Sequence, residues 1–168
     1  MRKKRLPTPE RLAELFEYRE SDGRLIRRVN VRNGKAGSAA GWLNSDGYRD
    51  VRVDGIRYGE HLLVWVLLRG PIPDDKTIDH RDLQRARNVI SNLRVASVAQ
   101  NNANRPVQRS NKLGLKGVYF DKRKGKYRAR IDHENRKILL GDFDCPRIAH
   151  LAYVQAANRL YGEFARAA

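Results

Sequence analysis

The stretch NANRPVQRSNKLGLKG, Asn102 to Gly117, limits what this chain can fold into. It is rich in Asn, Arg and Gly, contains one Pro and has few apolar anchors, the composition of a linker. It splits a chain of 168 residues into two short halves, and each can bury only a small core. Hydrophobic residues make up 40% of the chain, which is enough for folded units and too much for a disordered tail. The expected organisation is an N-terminal domain over 1–104, a linker over 105–113 and a C-terminal domain over 114–168.

In TPERLAELFEY, Thr8 is suited to cap a helix and Pro9 to open it, with Leu12, Leu15 and Phe16 on one face. SDGRLIRRV reads as a turn into a strand. Two Asp-Gly turn signals and the alternation of Tyr48, Val51, Val53 and Ile56 predict a hairpin between Gly47 and Tyr58. Glu60 to Arg69, closed by Gly70-Pro71, reads as a buried helix. TID (Thr77–Asp79) and LRV (Leu93–Val95) are expected to pair as a short antiparallel hairpin around a long loop. Ser97 then caps a helix through Val98, Asn101 and Asn102. Strand, long loop, strand and helix make a small ββα unit.

Beyond the linker, three strands are expected between Lys116 and Phe143, with turns at Lys122–Gly125 and His133–Asn135. A helix from Pro146 follows. Its Ala149, Ala152, Ala156 and Ala157 form a small-residue face that can lie close on a sheet. Arg128 and Arg130 fall on one face of the middle strand, while Tyr127, Ala129 and Ile131 fall on the other.

Charge narrows the partner. Thirty-five Lys and Arg against 19 Asp and Glu leave a formal charge of +16, which points to a polyanion, nucleic acid first. An anionic membrane is the competitor, but the chain has no basic amphipathic helix of the bilayer-surface type. The longest apolar run, Leu62–Leu68, is too short to span a bilayer. Met1-Arg-Lys-Lys-Arg leads into Leu6-Pro-Thr-Pro instead of a signal-peptide core, so the expectation is a cytoplasmic, non-secreted protein of a bacterial or phage-infected cell. A single cysteine, Cys145, forms no intrachain disulfide, and with four scattered histidines it excludes the usual Cys/His zinc frameworks.

The chemistry concentrates in IDHRDLQRARNVISNL, Ile78 to Leu93. Phosphodiester hydrolysis needs an activated water, charge stabilisation at phosphorus and help for the leaving 3′ oxygen. Histidine suits the first task because its ordinary pKa lies near ~6.5. A hard cation such as Mg²⁺ suits the others and binds through only one or two carboxylates plus water and phosphate. Asp79 and His80 can serve metal and water together only if the strand ends there and the backbone turns. The Asn92 amide can fix an imidazole tautomer, and the Asn101 amide oxygen can complete a cation's coordination.

The pieces GYRDVRVDGIRYGEHLLVWVLLRGPIPDD, TIDHRD, RNVISNLRVAS and AQNNANR, in this order and spacing, resemble the HNH endonucleases of the phage and intron-borne homing branch over about Gly41 to Arg105. The resemblance implies a ββα-metal (His-Me finger) nuclease domain. In it His80 is general base, Asn92 orients that histidine, and Asp79 and Asn101 bind a divalent metal, Mg²⁺ with Mn²⁺ as substitute. It gives Asn88 a loop-bracing role and His61 a structural one. The chain departs from the family at Leu83-Gln84, where many relatives have Gly-Asn, and at Arg87, which replaces an asparagine. The pieces GVYFDKRKGKYRARI, LLGDFD and AYVQAANRLYGEFAR, covering Gly114 to Arg166, resemble the ethylene-response-factor type of DNA-binding domain, a three-stranded antiparallel sheet packed on one C-terminal helix. That resemblance implies Tyr119, Arg123, Arg128, Arg130, Lys137 and Leu139 as the DNA-facing set. Together they imply an α+β, site-directed, homing-type DNA endonuclease. It acts on double-stranded DNA as monomer or dimer, without a membrane or small-molecule cofactor. The alternatives are a catalytically inactive DNA-binding regulator on the same scaffold and an RNA-binding accessory protein.

Overall fold

Thr8 caps the first helix through its side-chain oxygen, which accepts the Arg11 N–H at 3.2 Å, and Pro9 occupies the first turn of α1 (Pro9–Leu15). The structure, a computed structural model, describes residues 5–32, 34–108, 110–133 and 136–166. Phe16 does not extend α1. It takes extended backbone and opens β1 (Phe16–Arg19), which pairs antiparallel with β2 (Arg24–Arg27). Its ring still joins the core that the helical reading assigned it to, because the turn into the strand keeps that side inward.

β3 (Trp42–Leu43), β4 (Arg49–Val53) and β5 (Ile56–Gly59) form an antiparallel sheet in that order. The tight β4–β5 turn is the expected hairpin, with Gly55 at φ +80° and Asp54 at φ +47°. β5 runs directly into α2 (Glu60–Arg69), which ends at Gly70 with φ +85°. Leu63, Val64 and Val66 of α2 pack with Leu12, Phe16, Leu25, Val51, Val53, Ile78 and Leu93 in one core. β6 (Lys76–His80) pairs with β7 (Leu93–Ser97) as expected. Ser97 caps α3 (Val98–Asn104) in a reciprocal box. Its hydroxyl accepts from Gln100 N–H at 3.1 Å, and Gln100 Oε1 accepts from Ser97 N–H at 2.8 Å.

The chain forms two compact units, Met1–Ala96 and Ser97–Ala168, so the division falls before α3, whereas composition placed it after. Composition points to the polar segment, but packing assigns α3 to the C-terminal elements α4 (Pro146–Tyr161) and the 3-10 turn Gly162–Phe164. The segment read as linker is built of turns. Asn111 N–H bonds Gln108 O at 2.9 Å and Gly114 N–H bonds Asn111 O at 3.1 Å. β8 (Val118–Asp121), β9 (Lys126–His133) and β10 (Arg136–Phe143) make a three-stranded antiparallel sheet with β9 central. The centre of the turn expected at His133–Asn135 lies outside the described residues. α4 begins at Pro146 as read, and its Ala149, Ala156 and Ala157 are buried along with Tyr153 and Tyr161. Gly117, at φ +73°, lies where any Cβ would collide with the Tyr153 ring. Ile138 faces the same side as Ile131 but is half exposed. Among the described residues, no helix is long and apolar enough to cross a membrane.

Candidate active site

β6 ends at His80, and the chain turns at once: Leu83 N–H bonds His80 O at 3.1 Å. Leu83 adopts φ +65°, the left-handed region, at the place where relatives were expected to carry glycine. A leucine there costs about 1–2 kcal/mol, so the turn is imposed by its surroundings and not by local preference. Arg81 N–H bonds Asn92 O at 2.9 Å and closes the base of the loop.

Within the loop, Asp82 is the brace. Its carboxylate accepts Gln84 N–H at 2.8 Å, Arg87 at 2.9 Å and Asn92 Nδ2 at 2.9 Å. Partial burial opposes the charge, but Arg87, the Gln84 N–H and Asn92 together hold this carboxyl below its ordinary value. The Asn92 side chain also donates to Arg87 O at 2.9 Å and accepts from Asp82 N–H at 3.2 Å. Those bonds use the amide entirely inside the loop. Asn92 therefore does not orient His80, and the sequence reading is corrected on this point.

The histidine's partner is Asn88. His80 Nε2 lies 2.9 Å from Asn88 Oδ1. The Asn88 amide is set in turn by Glu60, whose Oε2 accepts Asn88 Nδ2 at 3.0 Å. Glu60 Oε1 takes Leu25 N–H at 3.0 Å and Arg24 Nε at 3.2 Å. Glu60 and Asn88 are fully buried and His80 is 4% exposed. Since Nδ2 must face the carboxylate, Oδ1 must face the ring, so His80 carries its proton on Nε2. The lone pair is then on Nδ1. Burial lowers the His80 pKa, and the bond to Asn88 only partly offsets this, so the ring is neutral at neutral pH. Gly23, at φ +71°, makes this approach possible: a Cβ there would lie 2.4 Å from the Asn88 carbonyl carbon.

Asp79 is 4% exposed and its Oδ2 bonds Arg94 Nε at 2.9 Å, a buried ion pair on the β6–β7 ladder. Among the described residues no group of three or more His, Cys, Asp or Glu could hold a metal ion. The Asp79 carboxylate is a hard oxygen donor, and a cation such as Mg²⁺ binds through as few as one or two carboxylates, completing its shell with water and phosphate. Asn101 lies half-buried on α3 in the second unit.

Two rings border the histidine. Tyr48 lies 5.9 Å from His80 and 5.4 Å from His61, and His61 lies 5.1 Å from His80, centroid to centroid. The Arg85 guanidinium sits 5.1 Å over Tyr48. Sequence reasoning missed Glu60, Arg94 and Tyr48. The available signal for Glu60 was an acid opening an otherwise apolar helix, next to a motif that needs a carboxylate.

The residues assigned to DNA on the C-terminal sheet largely share one face. Register pairs Tyr119 with Arg128, Arg130 with Leu139 and Lys137 with Asp132, and Arg123 sits on the exposed β8–β9 turn. That face is partly neutralised from within. Arg128 bonds Asp142 at 2.6 and 3.0 Å and lies 3.3 Å from Asp121, and Lys124 reaches Asp142 at 2.8 Å. Arg128 and Lys124 hold the Asp142 carboxyl far below its usual range. Arg130 is the freer of the two arginines, with its side chain 41% exposed against 19% for Arg128.

A family model described as HNH endonuclease matches residues 58–103, the stretch from the end of β5 through α3 that contains His80, Asn88, Asn92 and Asn101. The chain is 31% identical over 106 residues to Protein 3.8 of Escherichia phage T7, covering 63% of this chain and 87% of that protein. It is 32% identical over 126 residues to an uncharacterized HNH endonuclease of Acanthamoeba polyphaga mimivirus, covering 74% of this chain and 64%, under two thirds, of that protein. No solved structure matches significantly. The family match stops before the C-terminal sheet, and the ethylene-response-factor likeness gains no support from these relatives.

Proposed function

We propose that this chain, whose residues 58–103 match the HNH endonuclease family model, is a metal-dependent, site-directed DNA endonuclease of the homing type in which His80 activates the attacking water. The observation that carries this is the buried chain Glu60–Asn88–His80. It holds the imidazole immobile and protonated on Nε2, while burial keeps the ring neutral, so Nδ1 can take a proton from water. Asn88 Oδ1 then stabilises the imidazolium as it forms, because Glu60 fixes the amide's direction.

Asp79 is the residue of the first unit that would hold the cation, and the family resemblance adds Asn101 as a second ligand. Arg94 holds the Asp79 carboxylate through a hydrogen bond at 2.9 Å. When bound, Mg²⁺, or Mn²⁺ in its place, would stabilise charge at phosphorus and assist the 3′ leaving oxygen. The C-terminal domain, 114–168 by the sequence boundaries, is the DNA reader in this proposal, acting through Tyr119, Arg123, Arg128, Arg130, Lys137 and Leu139. Its sheet supports that role by presenting most of these on one face, with Arg130 foremost.

The test is nicking of supercoiled plasmid with Mg²⁺, Mn²⁺ or EDTA. Wild-type protein should cut with either metal and not in EDTA. His80→Ala should cut about 10²–10⁴-fold more slowly, the range of general acid–base catalysis, with DNA affinity unchanged. Equal rates for the two proteins would remove His80 from the mechanism.

A further inference from the structure

His61 has no role in the mechanism above, yet it is the group in the site whose hydrogen bonding is incomplete. It stands in the first turn of α2, beside Glu60, with its ring 5.1 Å from that of His80. Nδ1 is buried and has no hydrogen-bond partner, whereas Nε2 is not sealed off in this way. Gly59 is the floor under this edge: a Cβ there would fall 3.0 Å from His61 Nδ1 and 2.6 Å from Cε1. Tyr48, at 5.4 Å, covers another side.

These contacts decide where the proton sits. A buried N–H without an acceptor is rarer and costlier than a buried lone pair. Nδ1 therefore carries the lone pair and Nε2 the hydrogen. Burial, with His80 alongside, lowers the His61 pKa to about 3, so the ring stays neutral through the working pH range. The result is a fixed, uncharged N–H donor next to a fixed acceptor, Nδ1 of His80, at the positive end of a helix.

We propose that His61 is a catalytic residue of this site, its Nε2–H donating a hydrogen bond to a nonbridging oxygen of the scissile phosphate. The donor steadies the phosphate while His80 receives the proton of water, and no proton leaves His61. The inference rests on the endonuclease reading.

The experiment compares His61→Phe and His61→Gln with wild type in single-turnover plasmid nicking with Mg²⁺, together with DNA binding in EDTA and thermal midpoints. Phenylalanine keeps the ring on Gly59 and removes the donor. Glutamine carries an amide N–H to about the same reach as Nε2. His61→Phe should slow nicking roughly 10- to 100-fold, the worth of one hydrogen bond to a charged acceptor, with little change in binding. His61→Gln should recover much of that loss. Nicking by His61→Phe at the wild-type rate overturns the proposal, and so does His61→Gln no faster than His61→Phe, which would reduce the ring to packing. If His61→Phe fails to fold, ¹⁵N spectra of the wild-type imidazoles decide: Nε2–H is expected, and Nδ1–H contradicts it. A wild-type protein that does not nick at all removes the endonuclease reading and this inference with it. Nicking that depends on His80 but not on His61 removes this inference alone.

Discussion

In the first unit the polar groups around His80 are buried and bonded to one another: Glu60 to Arg24, Leu25 and Asn88, Asn88 to His80, and Asp79 to Arg94. On the second unit's sheet, Arg128, Lys124 and Arg130 lie at the surface and are matched against Asp142, Asp121 and Asp132. The contrast separates two uses of charge. A buried group cannot exchange its partner for water, so its position is fixed and its loss is expensive. A surface arginine paired with an aspartate can trade that partner for a phosphate at little cost. The first arrangement suits chemistry on one atom, and the second suits reversible binding to a polyanion.

The strongest way to break this contrast is Glu60→Ala. It leaves Arg24 Nε, the Leu25 N–H and Asn88 Nδ2 without their acceptor and should destabilise the protein by about 3–5 kcal/mol in urea unfolding. An unchanged midpoint would mean that the buried chain is not structural.

Acid should act in the same place. The unfolded-state value for histidine is near 6.5, and His61 and His80 are both lowered in the folded protein, His61 to about 3. The unfolded chain takes up these protons first, so stability falls as pH drops below about 6.5, by at most about 1.4 kcal/mol per pH unit per histidine. His61→Phe should flatten this slope, as measured by urea midpoints at several pH values from 7.5 to 5. A slope identical to wild type would show that His61 is protonated as easily in the folded state as in the unfolded chain.

Leu83→Gly sharpens the point that the site loop is held by its surroundings. Removing about 1–2 kcal/mol of left-handed strain, less the roughly 0.5–1 kcal/mol of extra entropy that glycine loses, should stabilise the protein by about 0.5–1 kcal/mol. A loss of stability would show that the leucine side chain is needed for packing. The smallest effect on stability belongs to the second unit. Asp142→Asn should leave the unfolding midpoint almost unchanged, yet tighten DNA binding and steepen its salt dependence by freeing Arg128 and Lys124. Unchanged binding would argue against this face as the DNA contact.

Local signals carried much of the fold. Thr8-Pro9, the Asp-Gly turn at β4–β5, Ser97 with Gln100 and the alanine face of α4 each act within a few residues, so they are legible in the chain. The site was legible only in part. Asp79 and His80 stand where the strand ends, as their chemistry required. The roles of Asn88 and Asn92 were reversed, because which asparagine reaches a ring depends on the loop's path, set by Asp82 and Gly23. Glu60 lies 28 residues from Asn88, and no local pattern reveals such a partner. The assignment of α3 to the second unit escaped composition for the same reason.

In the proposed mechanism Glu60 and Asn88 place the proton of His80 on Nε2 and leave Nδ1 as the base. The direct measurement is the ¹⁵N spectrum of the His80 imidazole near pH 7.5 in wild type and Asn88→Ala. A neutral Nε2–H ring is expected in wild type, and a mixture of tautomers once Asn88 is removed. A wild-type ring protonated on Nδ1, or one indifferent to Asn88, would contradict that mechanism.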